Sequence, residues 1–386
     1  MLTILFSNLC IALGQVKTEP YRFIEDIFLQ IDQDSTPWKY QIGATELSFS
    51  NRYNDALDIW DKSGYKKSAA TKEDSLFFKK SKKIKAENYI LEQANKSEII
   101  IINEAHHLAK HRTFTQSLLQ ELYNNGYKYL GIETLQDTLI NKRKFAVLDS
   151  GYYTREPEFG NLIHEALTIG FTLFGYEALN GKNGTEREIE QAQNIQKFIK
   201  KHPKGKVLIY CGYAHAYEND YPHWGKAMAG RLKEIMGIDP FSIDQTLFIE
   251  KFNKEDNNIF IKLNTSNTPI VLIDNSGKVF NGTKGKEQTD VVILHPETKL
   301  INGRPHWLTQ KKIKYKIPIS KLANQESYLI FAYRGNEFEN NGIPADIVEI
   351  NTSTKHNFLY LKKGTYTIVI KNRNYTIINQ YTVNIK

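Results

Sequence analysis

The spacing of hydrophobic residues before about position 95 is typical of helices. Residues 53–60 and 86–94 follow a helical repeat, although less regularly than the first stretch. The basic segment 79–85 lies between them and is predicted to be a solvated loop. The clearest helical face is formed by five apolar side chains that recur at the spacing of a helix, namely Phe23, Ile24, Ile27, Phe28 and Ile31.

From residue 97 onward, strand-like and helix-like stretches alternate. The run Ile99-Ile100-Ile101-Ile102 is continuously β-branched, which favours a strand buried on both faces. This alternation predicts an α/β fold in which a mostly parallel sheet is covered by helices in three layers. We expect further strands at 127–132, 171–176, 207–211 and 241–248, with helices near 118–123, 161–168, 186–200 and 225–236.

Beyond about residue 265 the pattern changes to short alternating runs separated by Asn, Gly and Pro. This pattern predicts a C-terminal antiparallel β module of sandwich-like form. Residues 290–296 belong either to this module or to the end of the parallel sheet. The expected organisation is a signal peptide at 1–14, a helical segment at 15–96, an α/β domain at 97–300 and the β module at 301–386.

Composition narrows the class of protein without naming a function. The 386 residues carry a net charge of +8, with 41% hydrophobic and 24% charged residues, as in ordinary globular proteins. No basic stripe marks a nucleic-acid module, and no apolar run is long enough to span a bilayer, so neither nucleic acid nor a transmembrane span is expected. The expected partner is a small-molecule or peptide substrate, and the sequence leaves the oligomeric state open.

The first residues resemble the apolar region of a secretory signal. Leu2 to Gly14 is apolar, Ala12-x-Gly14 offers small residues for cleavage, and polar residues follow. Export to the periplasm or out of the cell is therefore expected. The alternative is an ordinary N-terminal helix, since no Lys or Arg precedes the apolar stretch. Two cysteines, Cys10 and Cys211, do not make a disulfide framework.

Acidic or imidazole side chains follow each of the first four predicted strands of the sheet. Because ligands of parallel sheets bind beyond the carboxyl ends of the strands, we expect these side chains to meet at one edge. An imidazole oriented by a carboxylate can take a proton from water, and no Gly-x-Ser-x-Gly motif offers a serine nucleophile. The candidates for activating water are Glu104, His106, His107, Glu133 and His215, with Glu177 after the third strand.

Other assignments remain open from the residues alone. A divalent metal is one alternative, with Glu104, His107 and His215 as candidate ligands. A narrower version uses His107 and His111, which are spaced to share one helical face, although His111-Arg112 is more simply an exposed polar face. Arg187 either binds an anionic substrate group or pairs with Glu188 or Glu190. Tyr153 either lines the pocket or packs, and Cys211 is expected to be a small buried residue.

Several of these motifs together resemble the superfamily of erythromycin esterases and ChaN-like haem-uptake proteins, with a more distant Tiki/TraB-like outline. They are Glu104-Ala105-His106-His107, Gly131-Ile132-Glu133, Gly212-Tyr213-Ala214-His215, and an Arg187 to Asn194 helix. The resemblance covers about residues 97–250. It implies that Glu104 and a following His activate water opposite Glu133 and His215. The esterase spacing selects His107, which we favour slightly, and the ChaN-like spacing selects His106.

The expected function is hydrolysis of an ester or amide by activated water, with a small molecule or peptide as substrate. A second hypothesis is a haem- or metal-binding protein of the cell envelope, in which the same His and Tyr side chains are ligands. A third is an inactive α/β site combined with a C-terminal module that attaches to a surface. The sequence does not select a substrate.

Overall fold

A computed structural model describes residues 19–64, 71–179, 181–283, 286–318, 327–351 and 357–386. The predicted signal peptide at 1–14 lies outside these residues, so the expected periplasmic or secreted location stays a prediction. Within the described residues, no helix combines the length and the apolar character needed to cross a membrane.

The first part of the described chain is mainly helical. Apolar residues spaced by one turn form the buried face of the first helix, where Ile27 and Ile31 are almost fully covered. The helices are α1 (Ile24–Gln33), α2 (Lys39–Phe49), α3 (Tyr53–Asp61), α4 (Lys72–Lys80) and α5 (Ala86–Ala94).

The basic segment 79–85 is not a loop, and this prediction was wrong. Its first residues end α4, and its last residues form strand β1 (Lys82–Lys85). This strand pairs antiparallel with β9 (Ile270–Ile273), so one side of its backbone is hydrogen-bonded while its three lysines stay in solvent. Charge pattern alone missed the strand because its partner lies almost 190 positions further along the chain.

The predicted parallel sheet is confirmed. In the described chain it has six strands, all parallel, in the order β10-β8-β2-β5-β3-β4. Residues 290–296 contribute the edge strand β10, which settles that open assignment. The strands are β2 (Ile99–Glu104), β3 (Tyr127–Ile132), β4 (Thr172–Gly175), β5 (Lys206–Gly212), β8 (Phe241–Asp244) and β10 (Val291–Val292).

Helices cover both faces of this sheet, which gives the three layers expected from the sequence. One face packs against α5, α6 (Ala109–Asn124) and α8 (Pro157–Ile169), and the other against α9 (Gly184–Lys201) and α10 (Met228–Met236). Helix α10 begins at Met228 rather than at the predicted residue 225. Gly225 and Lys226 instead form strand β7, which pairs with β6 (Asp220–Tyr221). Two short helices, α7 (Ile140–Arg143) and α11 (Ile259–Leu263), lie in connections.

The C-terminal antiparallel module is also confirmed. Four strands in the order β15-β14-β17-β18 form its main sheet, and β13 and β16 pair with each other against one face. The opposite face packs on Tyr21, Phe23 and Phe49 of the N-terminal part. The strands are β11 (Leu300–Ile301), β12 (Arg304–Pro305), β13 (Ile313–Lys316), β14 (Tyr328–Arg334), β15 (Asp346–Ile350), β16 (Phe358–Leu361), β17 (Gly364–Lys371) and β18 (Ile377–Ile385).

Candidate functional site

The strand order brings the predicted side chains to one edge of the sheet. Strand β5 lies between β2 and β3, and Glu104 at the end of β2 stands level with Gly212 at the end of β5. Glu133 follows β3, and its backbone N–H donates to the carbonyl of Tyr210 at 3.2 Å. We call Glu104, His106, Glu133, Arg187 and His215 the acid–imidazole site.

Glu104 is a buried carboxylate held by three other side chains. Arg112 on α6 donates to both of its oxygens, at 2.5 and 2.6 Å, and the Tyr210 hydroxyl donates at 2.6 Å. Burial by itself raises the pKa of Glu104, but Arg112 and His106 outweigh it and lower that pKa to about 2. Glu104 is therefore an anion in a fixed orientation at neutral pH.

His106 is the imidazole that Glu104 holds. Its Nδ1 lies 2.9 Å from a carboxylate oxygen of Glu104, which places the Nδ1 proton between them and leaves Nε2 as the basic atom. The ring stacks on Tyr153, with 3.6 Å between ring centroids. Nε2 faces Gly212, since a Cβ added to that glycine would lie 2.6 Å from Nε2 and 3.3 Å from an oxygen of Glu133. His106 and Glu133 thus flank one small space.

Gly212 is required because the imidazole occupies the place of its missing side chain. Its φ of −89° is open to any residue, so alanine would leave the backbone unstrained but displace the His106 ring. If the site carries out the hydrolysis expected from the sequence, Gly212→Ala should lower turnover by about 10²-fold, the usual cost of a misplacement near 1 Å. The measurement is kcat on an ester substrate, with circular dichroism to show that the fold is retained. Unchanged turnover would show that the position of His106 does not matter.

Arg187 on α9 links two acidic side chains across the edge. It donates to Glu133 at 2.5 Å and to Glu177 at 2.6 and 2.9 Å. Glu133 also accepts from the backbone N–H of Gly212 at 2.6 Å. Burial raises the pKa of Glu133, but His215 and Arg187 outweigh it, so that pKa is lowered and the group is ionised. Neither Glu188 nor Glu190 is the partner of Arg187, so that alternative was wrong.

His215 stands between Glu133 and Glu188. Its Nδ1 lies 2.9 Å from Glu188, whose carboxylate also accepts from the backbone N–H of Met228 at the start of α10. Its Nε2 lies 2.9 Å from Arg187 and 3.3 Å from Glu133. Burial lowers the pKa of His215, but Glu133 and Glu188 outweigh it and raise that pKa. Nε2 accepts from Arg187 when His215 is neutral and donates to Glu133 when it is protonated.

His107, which the sequence analysis slightly favoured, does not contact Glu104. Its ring stacks on Trp60 of α3, with centroids 3.9 Å apart, and its Nδ1 lies 3.4 Å from the Tyr213 hydroxyl. The cause is a turn, closed by a 2.8 Å bond from Leu108 N–H to the carbonyl of Ala105, that sends successive side chains to different sides. The structure therefore pairs Glu104 with His106.

The proposed metal helix at His107 and His111 is not formed. His107 precedes α6, and His111 accepts from the backbone N–H of Ala105 through Nδ1 at 3.0 Å. His111 and Arg112 are also buried rather than an exposed polar face, which corrects that prediction. Among the described residues, no three His, Cys, Asp or Glu side chains lie in an arrangement that would hold a metal.

The site residues also do not fit haem or a metal bound by the strand ends. Both oxygens of Glu104 are engaged by Arg112, and the two ring nitrogens of His215 are engaged by Glu188 and Arg187. We therefore derive no step through either group.

Sequence reasoning missed several residues that support the site, among them Arg112, Glu156 and Tyr53. Arg112 makes a second buried ion pair with Glu156 at 2.9 Å, and Glu156 accepts from the Tyr53 hydroxyl at 2.6 Å. Glu156 lies at the start of α8 just before Pro157, a signature of a helix N-terminus that the sequence does show. Nothing in the sequence, however, indicated which cation this acid would meet.

The fold and the site together define a three-layer α/β protein with paired carboxylates and imidazoles at the carboxyl edge of its sheet. No family model matches the sequence, and no curated protein matches it.

Solved structures resemble the chain only distantly. The type III effector HopBA1 is 11% identical over 55% of this chain and 93% of its own, with a TM-score of 0.36. ChaN of Campylobacter jejuni, solved with cofacial haem, is 13% identical over 57% of this chain and 96% of its own, with a TM-score of 0.34. RRSP, a MARTX toxin effector domain of Vibrio vulnificus, is 13% identical over 68% of this chain and 48% of its own, with a TM-score of 0.30. These likenesses concern the outline of the fold and carry nothing about chemistry.

Proposed function

We propose that the protein is a hydrolase that attacks an ester or amide with water activated by His106. The observation that carries this proposal is the arrangement of Glu104, His106 and Glu133 around Gly212. A carboxylate fixes Nδ1–H of the imidazole, and the free Nε2 faces a second carboxylate across a small cleft. This is the geometry of a general base, with a neighbouring acceptor that orients the water.

In the proposed reaction, Nε2 of His106 takes a proton from water while the water oxygen bonds to the substrate carbonyl carbon. Arg187 and protonated His215 both contact Glu133 and, in this scheme, supply positive charge for the oxyanion that forms. When the intermediate collapses, the bond to the leaving group breaks and His215 gives its Nε2 proton to that group. Proton exchange with solvent then restores both imidazoles.

Cys211 does not serve as a nucleophile in this scheme. It is buried in β5, and burial raises the pKa of its thiol well above the ordinary value, so the reactive thiolate is not populated. Its sulfur lies 3.7 Å from the carbonyl oxygen of Ile102 on the neighbouring strand. Activated water therefore accounts for the site better than thiol chemistry does.

The proposal is tested with 4-nitrophenyl acetate, 4-nitrophenyl butyrate and a set of aminoacyl 4-nitroanilides. We expect turnover of at least one class by the wild-type protein, retained in Cys211→Ala and lost in Glu104→Gln purified in parallel. Turnover that survives Glu104→Gln would come from a contaminant or another site. No turnover of esters, anilides or a mixed peptide library would overturn the proposal.

The raised pKa of His215 predicts how activity changes with pH. Its protonated form predominates below a pKa that lies above the ordinary 6.5. If this form stabilises the oxyanion and protonates the leaving group, kcat/KM falls as pH rises through that pKa. We expect His215→Gln to have lower kcat/KM and no such alkaline decline, which is measured by pH-rate profiles of both proteins. An unchanged alkaline limb in the variant would assign the titration to another group.

A further inference from the structure

A second cleft lies apart from the acid–imidazole site, on the face of α6 that carries Lys110, Thr113 and Phe114. It measures about 190 Å³ and opens to solvent, and we call it the lysine cleft. It shares no lining residue with the cleft beside His106. Its remaining walls include Lys85, His306, Trp307 and Lys311.

The lysine cleft carries positive charge at its mouth. Lys85 ends β1 and Lys311 lies in the turn before β13, and both side chains are exposed. Within the described residues, neither lysine has an ion-pair partner, although the acid Glu87 also lines the cleft. Lys110 differs, because it is buried and bonded to Glu250 at 2.5 Å. The charge available to a ligand is therefore that of Lys85 and Lys311.

A smaller pocket adjoins this cleft and shares Lys110 and Trp307 with it. It measures about 20 Å³, enough for one water-sized group, and is lined largely by apolar and aromatic side chains, including Tyr53 and Leu57. His107 also lines it, and we call it the His107 pocket.

The His107 pocket contains an unmatched polar atom. Nε2 of His107 is fully buried and has no hydrogen-bond partner, which costs free energy unless a ligand supplies one. Burial lowers the pKa of His107 well below its ordinary value, so the ring is neutral. The Tyr213 hydroxyl lies 3.4 Å from Nδ1, and we assign the ring proton to Nε2, which then needs an acceptor.

We propose that the lysine cleft and the His107 pocket together form a second ligand site for a small aromatic carboxylate. Its anionic group lies at Lys85 and Lys311, its ring packs on Trp307, and an oxygen at its far end accepts from Nε2 of His107. Three observations carry this assignment: uncompensated lysines at the mouth, aromatic walls between, and an unsatisfied buried donor at the inner end. The site is independent of the proposed hydrolase.

The test is isothermal titration calorimetry of the full protein with three matched compounds. 6-Methoxy-2-naphthoate carries the charge, the ring and the far oxygen; 2-naphthoate lacks the oxygen, and 2-methoxynaphthalene lacks the charge. We expect saturable binding of the first, about threefold to tenfold tighter than 2-naphthoate, as for one hydrogen bond. Binding to 2-methoxynaphthalene should be weaker still. No saturable binding of the first compound, or equal affinities for all three, would overturn the proposal.

Two variants locate the bound compound. Lys85→Ala combined with Lys311→Ala should remove the preference for the charged compounds, whereas Lys79→Ala combined with Lys80→Ala removes two exposed lysines outside the cleft and should change nothing. His107→Phe keeps a ring on Trp60 and should remove the preference for the methoxy group. If His107→Phe does not fold, Leu300→Asp at the half-exposed rim of the His107 pocket should still weaken 6-methoxy-2-naphthoate. If neither the double lysine variant nor Leu300→Asp changes the binding of 6-methoxy-2-naphthoate, the compound binds elsewhere.

Discussion

Replacing His106 with asparagine is expected to lower kcat by about 10² to 10⁴-fold, the usual contribution of a general base. Asparagine keeps a hydrogen-bonding group near Glu104 but has no atom that takes a proton from water. The ring is only partly buried, with 14% of its side chain exposed, so the fold should survive the change. The measurement is steady-state turnover of the ester or anilide found in the substrate screen.

His202→Gln is the matched control for this variant. His202 follows α9 and precedes β5, so it lies at the amino edge of the sheet, away from the acid–imidazole site. We expect its turnover to equal that of the wild type. If His106→Asn retains full activity while the fold and the control are intact, His106 is not the base and the proposed mechanism fails.

The position of these side chains at one edge of the sheet could be predicted from the sequence, because a strand pattern also shows where the strand ends. A buried run such as Ile99–Ile102 predicts a strand, and an acid directly after it must lie at the carboxyl end. Glu104 ends a strand, and Glu133 and His215 follow strands; the structure places Glu104 and Glu133 in one cleft and His215 3.3 Å from Glu133. No knowledge of strand order was needed for that conclusion.

The choice between His106 and His107 could not be made from the sequence. Both follow Glu104, and only the turn at Ala105–Leu108 decides which ring returns over the strand end. The partner of His107 is Trp60, more than forty positions earlier in the chain, so no local pattern indicates that contact. The role of Gly212 was hidden for a similar reason, since it depends on β5 lying between β2 and β3.

Arg112 shows where pattern reasoning fails most clearly. A charged residue beside a histidine on a helix is normally exposed, yet Arg112 is fully buried. Its two partners, Glu104 and Glu156, come from a strand end and from the start of another helix. Only the tertiary structure places both carboxylates around one guanidinium, so its burial could not be predicted.

Arg112→Met is expected to reduce the free energy of unfolding by about 3 to 5 kcal/mol, because it leaves buried carboxylates without their counter-charge. Both pairs are inaccessible to solvent, and the guanidinium also stacks on Phe159 at 4.9 Å. Methionine fills much of the same volume, so the lost charge rather than a cavity dominates. Urea denaturation, followed by circular dichroism, measures the change.

The pH dependence of this loss identifies its cause. In the wild type, the pKa of Glu104 is lowered to about 2 from 4.5, so its stabilising effect is present above pH 4.5 and is lost as pH falls toward 2. Without Arg112, burial dominates and the pKa of Glu104 rises above its unfolded value. The loss of unfolding free energy in Arg112→Met, relative to the wild type, should therefore be largest near pH 7.5 and smaller near pH 5.

Two further proteins separate lost charge pairing from lost packing. Adding Glu104→Gln to Arg112→Met removes one unpaired carboxylate and should recover part of the stability. Arg373→Met breaks a partly exposed pair with Asp26 and should cost only about 0 to 1 kcal/mol, as is usual near the surface. The contrary result is a stability loss of Arg112→Met that is the same at every pH and unchanged by Glu104→Gln. That result would mean that packing, not the buried carboxylates, explains why Arg112 is needed.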